Sequence, residues 1–189
     1  MMKMKLSSVT RVAMLLMTWW AWSCSSTKIS VESSDTALAL SDFKTFDFVE
    51  LEAEGDTSSA FSESIDVIKS EVVRQMNSRG LTQQTVDPEL KINLGVVVEE
   101  KTQTRQTSLS DPGEWTYIGQ RNYKWKSQTV KVGSYKEGSI TLHLVNTSSN
   151  EAIWVGSIEG VVPRKAENRK NAIQEAVAAL FQEIDKKNE

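Results

Sequence analysis

The chain has 189 residues, with 22 lysines and arginines against 25 aspartates and glutamates, one histidine and one cysteine. That balance argues against nucleic acid as a partner, because a phosphate backbone calls for a basic surface. One cysteine rules out a disulfide framework within the chain, and one histidine without cysteine neighbours lacks the usual zinc donor set, so neither metal nor cofactor is expected.

In chain order, Lys3, Lys5 and Arg11 precede an apolar run from Val12 to Trp22 that stops at Ser23-Cys24. A positive start, an apolar segment of about 11 residues and small residues at its end have the composition of an export signal. A permanent membrane span needs roughly 20 apolar residues, so the run is too short to be one. Ala21-Trp22-Ser23-Cys24 resembles the lipobox of bacterial lipoproteins, which implies that residues 1–23 are removed and Cys24 becomes the acylated first residue. The mature chain would then carry 19 basic against 25 acidic residues, since the signal holds three cations and no acid. One acyl chain binds a bilayer marginally, whereas two or three hold a protein there essentially permanently. The membrane partner is therefore expected through Cys24 and not through a basic face.

Residues 24–41, rich in serine and without apolar period, read as a flexible tether, and 42–189 as one domain. Phe43 to Val49 is aromatic, β-branched and partly alternating, which predicts a first strand. Phe61, Ile65, Ile68, Val72 and Met76 then recur at spacings of three and four on one helical stripe. Ser59 and Ser62 are placed to cap that helix, Gly80 to end it, and Leu81 to close it with an apolar contact. Leu90, Ile92, Leu94, Val96 and Val98 alternate with polar or small residues and predict a strand with one core face. Thr129 to Val132 predicts a charged edge strand. Ile140, Leu142 and Leu144 predict the next strand, and the turn formers Asn146 to Asn150 lead into a returning strand, Ile153 to Val161. A final helix over about 167–184 points Ile173, Ala176, Val177, Leu180 and Ile184 at the core. The order β-α-β-β-β-β-α predicts a two-layer α+β domain, a largely antiparallel sheet of about five strands with both helices on one face.

Phe43 to Phe48, Asp87-Pro88-Glu89-Leu90, Tyr135 to Ile140 and Ile153-Trp154-Val155-Gly156, in that order behind a lipobox, resemble the bacterial lipoprotein family known only as domain of unknown function 4136. The resemblance covers roughly residues 41–185. It implies an α+β envelope lipoprotein and brings no catalytic residues with it.

The chemistry-bearing residues are few. His143 sits on the polar side of its strand without metal-binding neighbours. Glu99 and Glu100, adjacent on a strand, point to opposite faces and cannot share a substrate. Gly138 after Glu137 reads as a backbone device, a positive φ or a bulge. No glycine spacing matches a phosphate loop or a nucleophile elbow, so no enzyme is expected. The segment with Trp115, Tyr117, Tyr123 and Trp125, interleaved with Arg121, Lys124 and Lys126, is either a hairpin packed on the sheet or a recognition surface.

These readings predict a lipid-anchored protein of the Gram-negative envelope, at the outer membrane with its domain in the periplasm. Its expected role is a non-catalytic binding or adaptor module for an envelope protein or the cell wall. The alternative is a carrier or chaperone of an apolar small molecule or lipid, held between sheet and helices and lined by Phe61, Ile65, Ile68, Val72 and Met76.

Overall fold

The computed structural model describes residues 27–34, 40–55, 58–108 and 127–186. Among them are six strands, β1 (Lys28–Ser34), β2 (Thr45–Glu54), β3 (Thr82–Gln83), β4 (Leu90–Gln106), β5 (Thr129–Asn146) and β6 (Glu151–Val161), and two α-helices, α1 (Ser59–Ser78) and α2 (Ala166–Asp185). The strands form one sheet in the order β1-β6-β5-β4-β2-β3. The α+β class stands; the strand count and order differ from expectation.

Three differences account for this. Lys28–Ser34, inside the segment read as tether, pairs antiparallel with β6 from Lys28↔Glu159 to Ser34↔Trp154. The two-residue β3 joins β2. The predicted strands at 129–132 and 140–144 are one continuous strand, β5, paired along its length with β4 from Gln106↔Thr129 to Leu90↔Asn146. There is thus no separate edge strand at Thr129–Val132. Gly138 lies in regular pairing with Val98 and Gly160 and has no positive φ, so the expected bulge is absent there.

The helical crossover α1 between β2 and β4 makes that pair parallel, as a connection of this length allows, while the hairpins β4–β5 and β5–β6 are antiparallel. Leu90, Ile92, Leu94 and Val96 face Ile140, Leu142 and Leu144 in one buried layer. Lys91, Asn93, Thr141 and His143 on the other side are half-exposed. Val72, Met76, Val177, Leu180, Phe181 and Ile184 from the two helices join the same core, so both helices cover one face.

Helix α1 starts at Ser58, whose side chain accepts from the Phe61 amide, one residue before the serines expected to cap it. It ends as expected at Gly80, φ +88°. The Leu81 amide donates to the Met76 carbonyl and the Gly80 amide to the Asn77 carbonyl, the two bonds of a Schellman ending. Leu81 and Met76 are both fully buried.

Candidate functional site

At about 1.5 Å per residue a 20-residue helix spans about 30 Å, whereas the 17 residues of β4 extend about 55 Å at about 3.3 Å each. The helices therefore cover only part of the β4–β5 ribbon. They run side by side in the same direction. At their C-terminal ends Arg79 holds them closed: its guanidinium stacks over the Phe181 ring at 4.9 Å and donates to Asp185. At their N-terminal ends they are joined by one side-chain bond, Arg169 Nε donating to the Ser64 hydroxyl at 3.2 Å.

Beneath that bridge is an open cleft of about 1030 Å³ between the helices and the sheet. Its sheet wall is Val96, Val98, Ile140 and Ile158; Phe61 and Ile68 of α1 stand on one side and Ala172, Ile173, Ala176 and Ala179 of α2 on the other. Small residues carve it. Three alanines of α2 face a sheet wall that includes Gly138 and Gly160. With only one methyl at each alanine, that half of the interface is left open, while Trp154, Phe181 and Leu180 fill the other half. Ile29 of β1, opposite Ile158 in the ladder, lines the cleft and remains 37% exposed, apolar surface left in water.

The polar groups of the cleft gather at its mouth. Arg164 donates to the Ser134 carbonyl at 3.4 Å, and Arg169 donates to the carbonyls of Pro163 and Arg164 as well as to Ser64. Among the described residues neither arginine forms an ion pair. Glu100 stands directly across the ladder from Lys136 on the cleft side. Glu99 is on the opposite side of the sheet, paired with Lys101, whose hydrogen bond and charge hold its carboxyl below the usual carboxylate range. The two adjacent carboxylates thus serve different faces, as the strand period requires. His143 is on the face away from the helices, between Asn93 and Val155. No cluster of three or more histidine, cysteine, aspartate or glutamate side chains able to hold a metal occurs among the described residues. No helix among them is long and apolar enough to cross a membrane.

Of the residues singled out in the sequence, Phe61 and Ile68 line the cleft, while Val72 and Met76 belong to the closed core. Ile65 packs half-buried against that core. Cys24, Trp115, Tyr117, Tyr123 and Trp125 lie outside the described residues. The sequence did not single out Ala172 or Ala179; Ala176 packs against the core as expected and also lines the cleft. The available signal was three alanines on one inward stripe of a helix whose next turn is Leu180-Phe181.

The described residues define a two-layer α+β domain with an apolar cleft between its sheet and its helices. The chain belongs to the family described as Domain of unknown function (DUF4136), whose match spans residues 30–184. The match takes in β1 from Ser30, every later strand, and α2 as far as Ile184. Comparison with curated proteins gives no match. Among solved structures, the chain is similar to the PelC dodecamer from Paraburkholderia phytofirmans, with 12% identity over 84% of this chain and 96% of that one, TM-score 0.45. It is also similar to a PDZ domain protein from Parabacteroides distasonis, with 13% identity over 80% of this chain and 34% of that one, TM-score 0.43.

Proposed function

We propose that the protein is a lipid-anchored, non-catalytic binding protein of the bacterial envelope that holds an apolar small molecule or lipid in the cleft between its sheet and helices. The observation that carries this reading is the cleft itself, about 1030 Å³ with aliphatic and aromatic walls, at the upper end of the 300–1,000 Å³ typical of small-molecule sites. An open apolar cleft leaves its wall atoms without packing partners, and an apolar guest would supply them and cover the exposed Ile29. The anchor is the acylated Cys24, and the signal before it directs the domain to the periplasm, at the outer membrane.

The test uses a neutral fluorophore that brightens in apolar surroundings, N-phenyl-1-naphthylamine. The purified chain is expected to bind it saturably, and Ala176→Phe, which puts a ring into the cleft, to abolish the signal without unfolding the protein. Equal fluorescence from the two proteins would refute the cleft as the site. For the anchor, Cys24→Ala is expected to leave the membrane fraction or stall unprocessed; a variant that stays membrane-bound with unchanged processing and mass refutes acylation.

A second reading, an adaptor that takes a partner by strand addition, has one observation in its favour. The outer edge of β2 is paired to β3 only at Thr45 and Phe46, and Val49 and Leu51 beyond them are 58% and 37% exposed.

A further inference from the structure

Resting on the cleft as a binding site, the geometry points to its ligand class: a single-chain amphiphile whose oxyanion head, carboxylate or phosphate, is held by Arg169 with Arg164 at the mouth, and whose alkyl tail lies along Ala172, Ala176 and Ala179.

The argument begins with charge. The chain is acidic overall, yet the two arginines at the mouth of its cleft have no carboxylate partner among the described residues. Of the carboxylates that border the cleft, Glu100 is exposed opposite Lys136 in the ladder, the strand period turns the Glu159 side chain to the opposite face, and Glu175 is exposed on α2; among the described residues none of them pairs with either arginine. Arg169 is half-buried, fixed by bonds to the Ser64 hydroxyl and to two backbone carbonyls, all neutral acceptors. A guanidinium held through Nε and Nη1 by neutral acceptors keeps its full charge and leaves the N–H groups of Nη2 for a charge-assisted bond to a carboxylate or phosphate oxygen.

Shape agrees with charge. From Arg169 to Ala179 the helix rises about 15 Å, so the small-residue wall is a straight apolar channel that starts at the cation and runs inward. Its far end is closed by Leu180, Phe181 and Ile68, all at most 2% exposed. A channel with one charged end and one blind apolar end matches a molecule with one charged end and a flexible tail.

The experiment titrates the purified full chain, loaded with N-phenyl-1-naphthylamine, with dodecanoate, dodecyl phosphate and dodecanol below their aggregation limits. At least one of the two anions is expected to displace the fluorophore about tenfold more tightly than dodecanol, equivalent to about 1.4 kcal/mol; which anion does so identifies the head. Arg169→Gln is expected to remove the preference, so that the two anions displace the fluorophore no better than dodecanol. Ser64→Ala, which removes one of the acceptors that fix Arg169 and leaves its charge, is expected to weaken the preference less than Arg169→Gln does. Displacement by dodecanol equal to that by both anions overturns the anionic-head inference and leaves the apolar cleft standing. No displacement by any of the three refutes both. A preference that survives Arg169→Gln overturns the assignment to Arg169. Should Arg169→Gln fail to fold, the comparison of the three ligands on the unmodified chain still decides the ligand class, and Arg169→Lys, which keeps the charge without the fork, is expected to weaken the preference.

Discussion

The backbone amide of Lys44 donates to the Glu89 carboxylate at 2.6 Å, and the Glu89 amide donates back to the Thr45 hydroxyl at 3.0 Å. The start of β2 is thereby clipped to the start of β4, where Phe46 pairs with Leu90 and parallel pairing begins. Two of the four stretches that carry the family resemblance, Phe43 to Phe48 and Asp87 to Leu90, are the halves of this clip. A parallel pair separated by a 20-residue helix has no turn to set its register, so side-chain clips of this kind set it.

Glu89→Ala is accordingly expected to cost about 1 kcal/mol, the scale of a charge-assisted bond at an exposed site. Urea unfolding is the measurement, with the midpoint lowered and the slope unchanged. A midpoint equal to that of the parent would show that the clip contributes nothing.

The fourth stretch, Ile153 to Gly156, has a different physical basis. The Trp154 indole lies over Gly156, and a Cβ at position 156 would stand 2.6 Å from its Cζ2. Trp154 is fully buried, so the ring has no room to retreat. Gly156→Ala is expected to destabilise the domain by about 1–3 kcal/mol, as overpacking does. Trp154→Phe, a smaller ring, should recover part of that loss in the double variant although it is itself destabilising. Additive losses in a double-mutant cycle would contradict the overlap.

Glu71 of α1 is a carboxylate in the core, 3% exposed. Burial raises its pKa, but hydrogen bonds from Arg74 and Gln75 outweigh burial, and the result lies below the ordinary carboxylate value of about 4.3. A carboxyl more acidic in the folded chain than in the unfolded one stabilises the fold above its unfolded pKa and loses that contribution as pH falls through its folded pKa. Glu71→Gln is therefore expected to be less stable than the parent at pH 7, by about 1 kcal/mol given that Arg74 is largely solvated, with the gap closing below about pH 4. Thermal unfolding across pH 3–7 checks this, and a gap that widens toward acid would reverse the sign argued here.

Helix α1, strand β4 and the β5–β6 hairpin were legible because each carries its own period: the stripe from Phe61 to Met76, the alternation from Leu90 to Val98, and the turn formers Asn146 to Asn150 before Glu151. Strand β1 was not, because it offers only Ile29 and Val31 as apolar residues and gains its ladder from β6, a partner more than 120 residues away. The continuity of β5 was hidden by Gly138, which read as a positive φ or a bulge. At Gly138 the glycine answers a contact instead, since a Cβ there would meet the Val162 side chain at 2.9 Å. The cleft was half legible. Phe61 and Ile68 were assigned to it through the carrier alternative, but a void is defined by what is missing opposite the alanines, and that depends on how far apart α2 and the sheet are held.

The same void makes a prediction about stability that separates an open cleft from a packed core. A core alanine replaced by phenylalanine drives neighbouring side chains from their rotamers and costs about 1–3 kcal/mol. At Ala176 the added ring would enter the space between α2 and the sheet, opposite Ile140 and Ile158, and fill part of the cleft. Burial contributes roughly 25 cal/mol per Å², and cavity-filling changes commonly add about 0.5–2 kcal/mol. Ala176→Phe is therefore expected to leave the unfolding midpoint unchanged or raise it. Leu180→Phe, one turn further along in the closed half, is expected to lower it. Thermal unfolding of the two variants side by side is the measurement, and equal losses at both positions would mean that the space beside Ala176 is not open in solution.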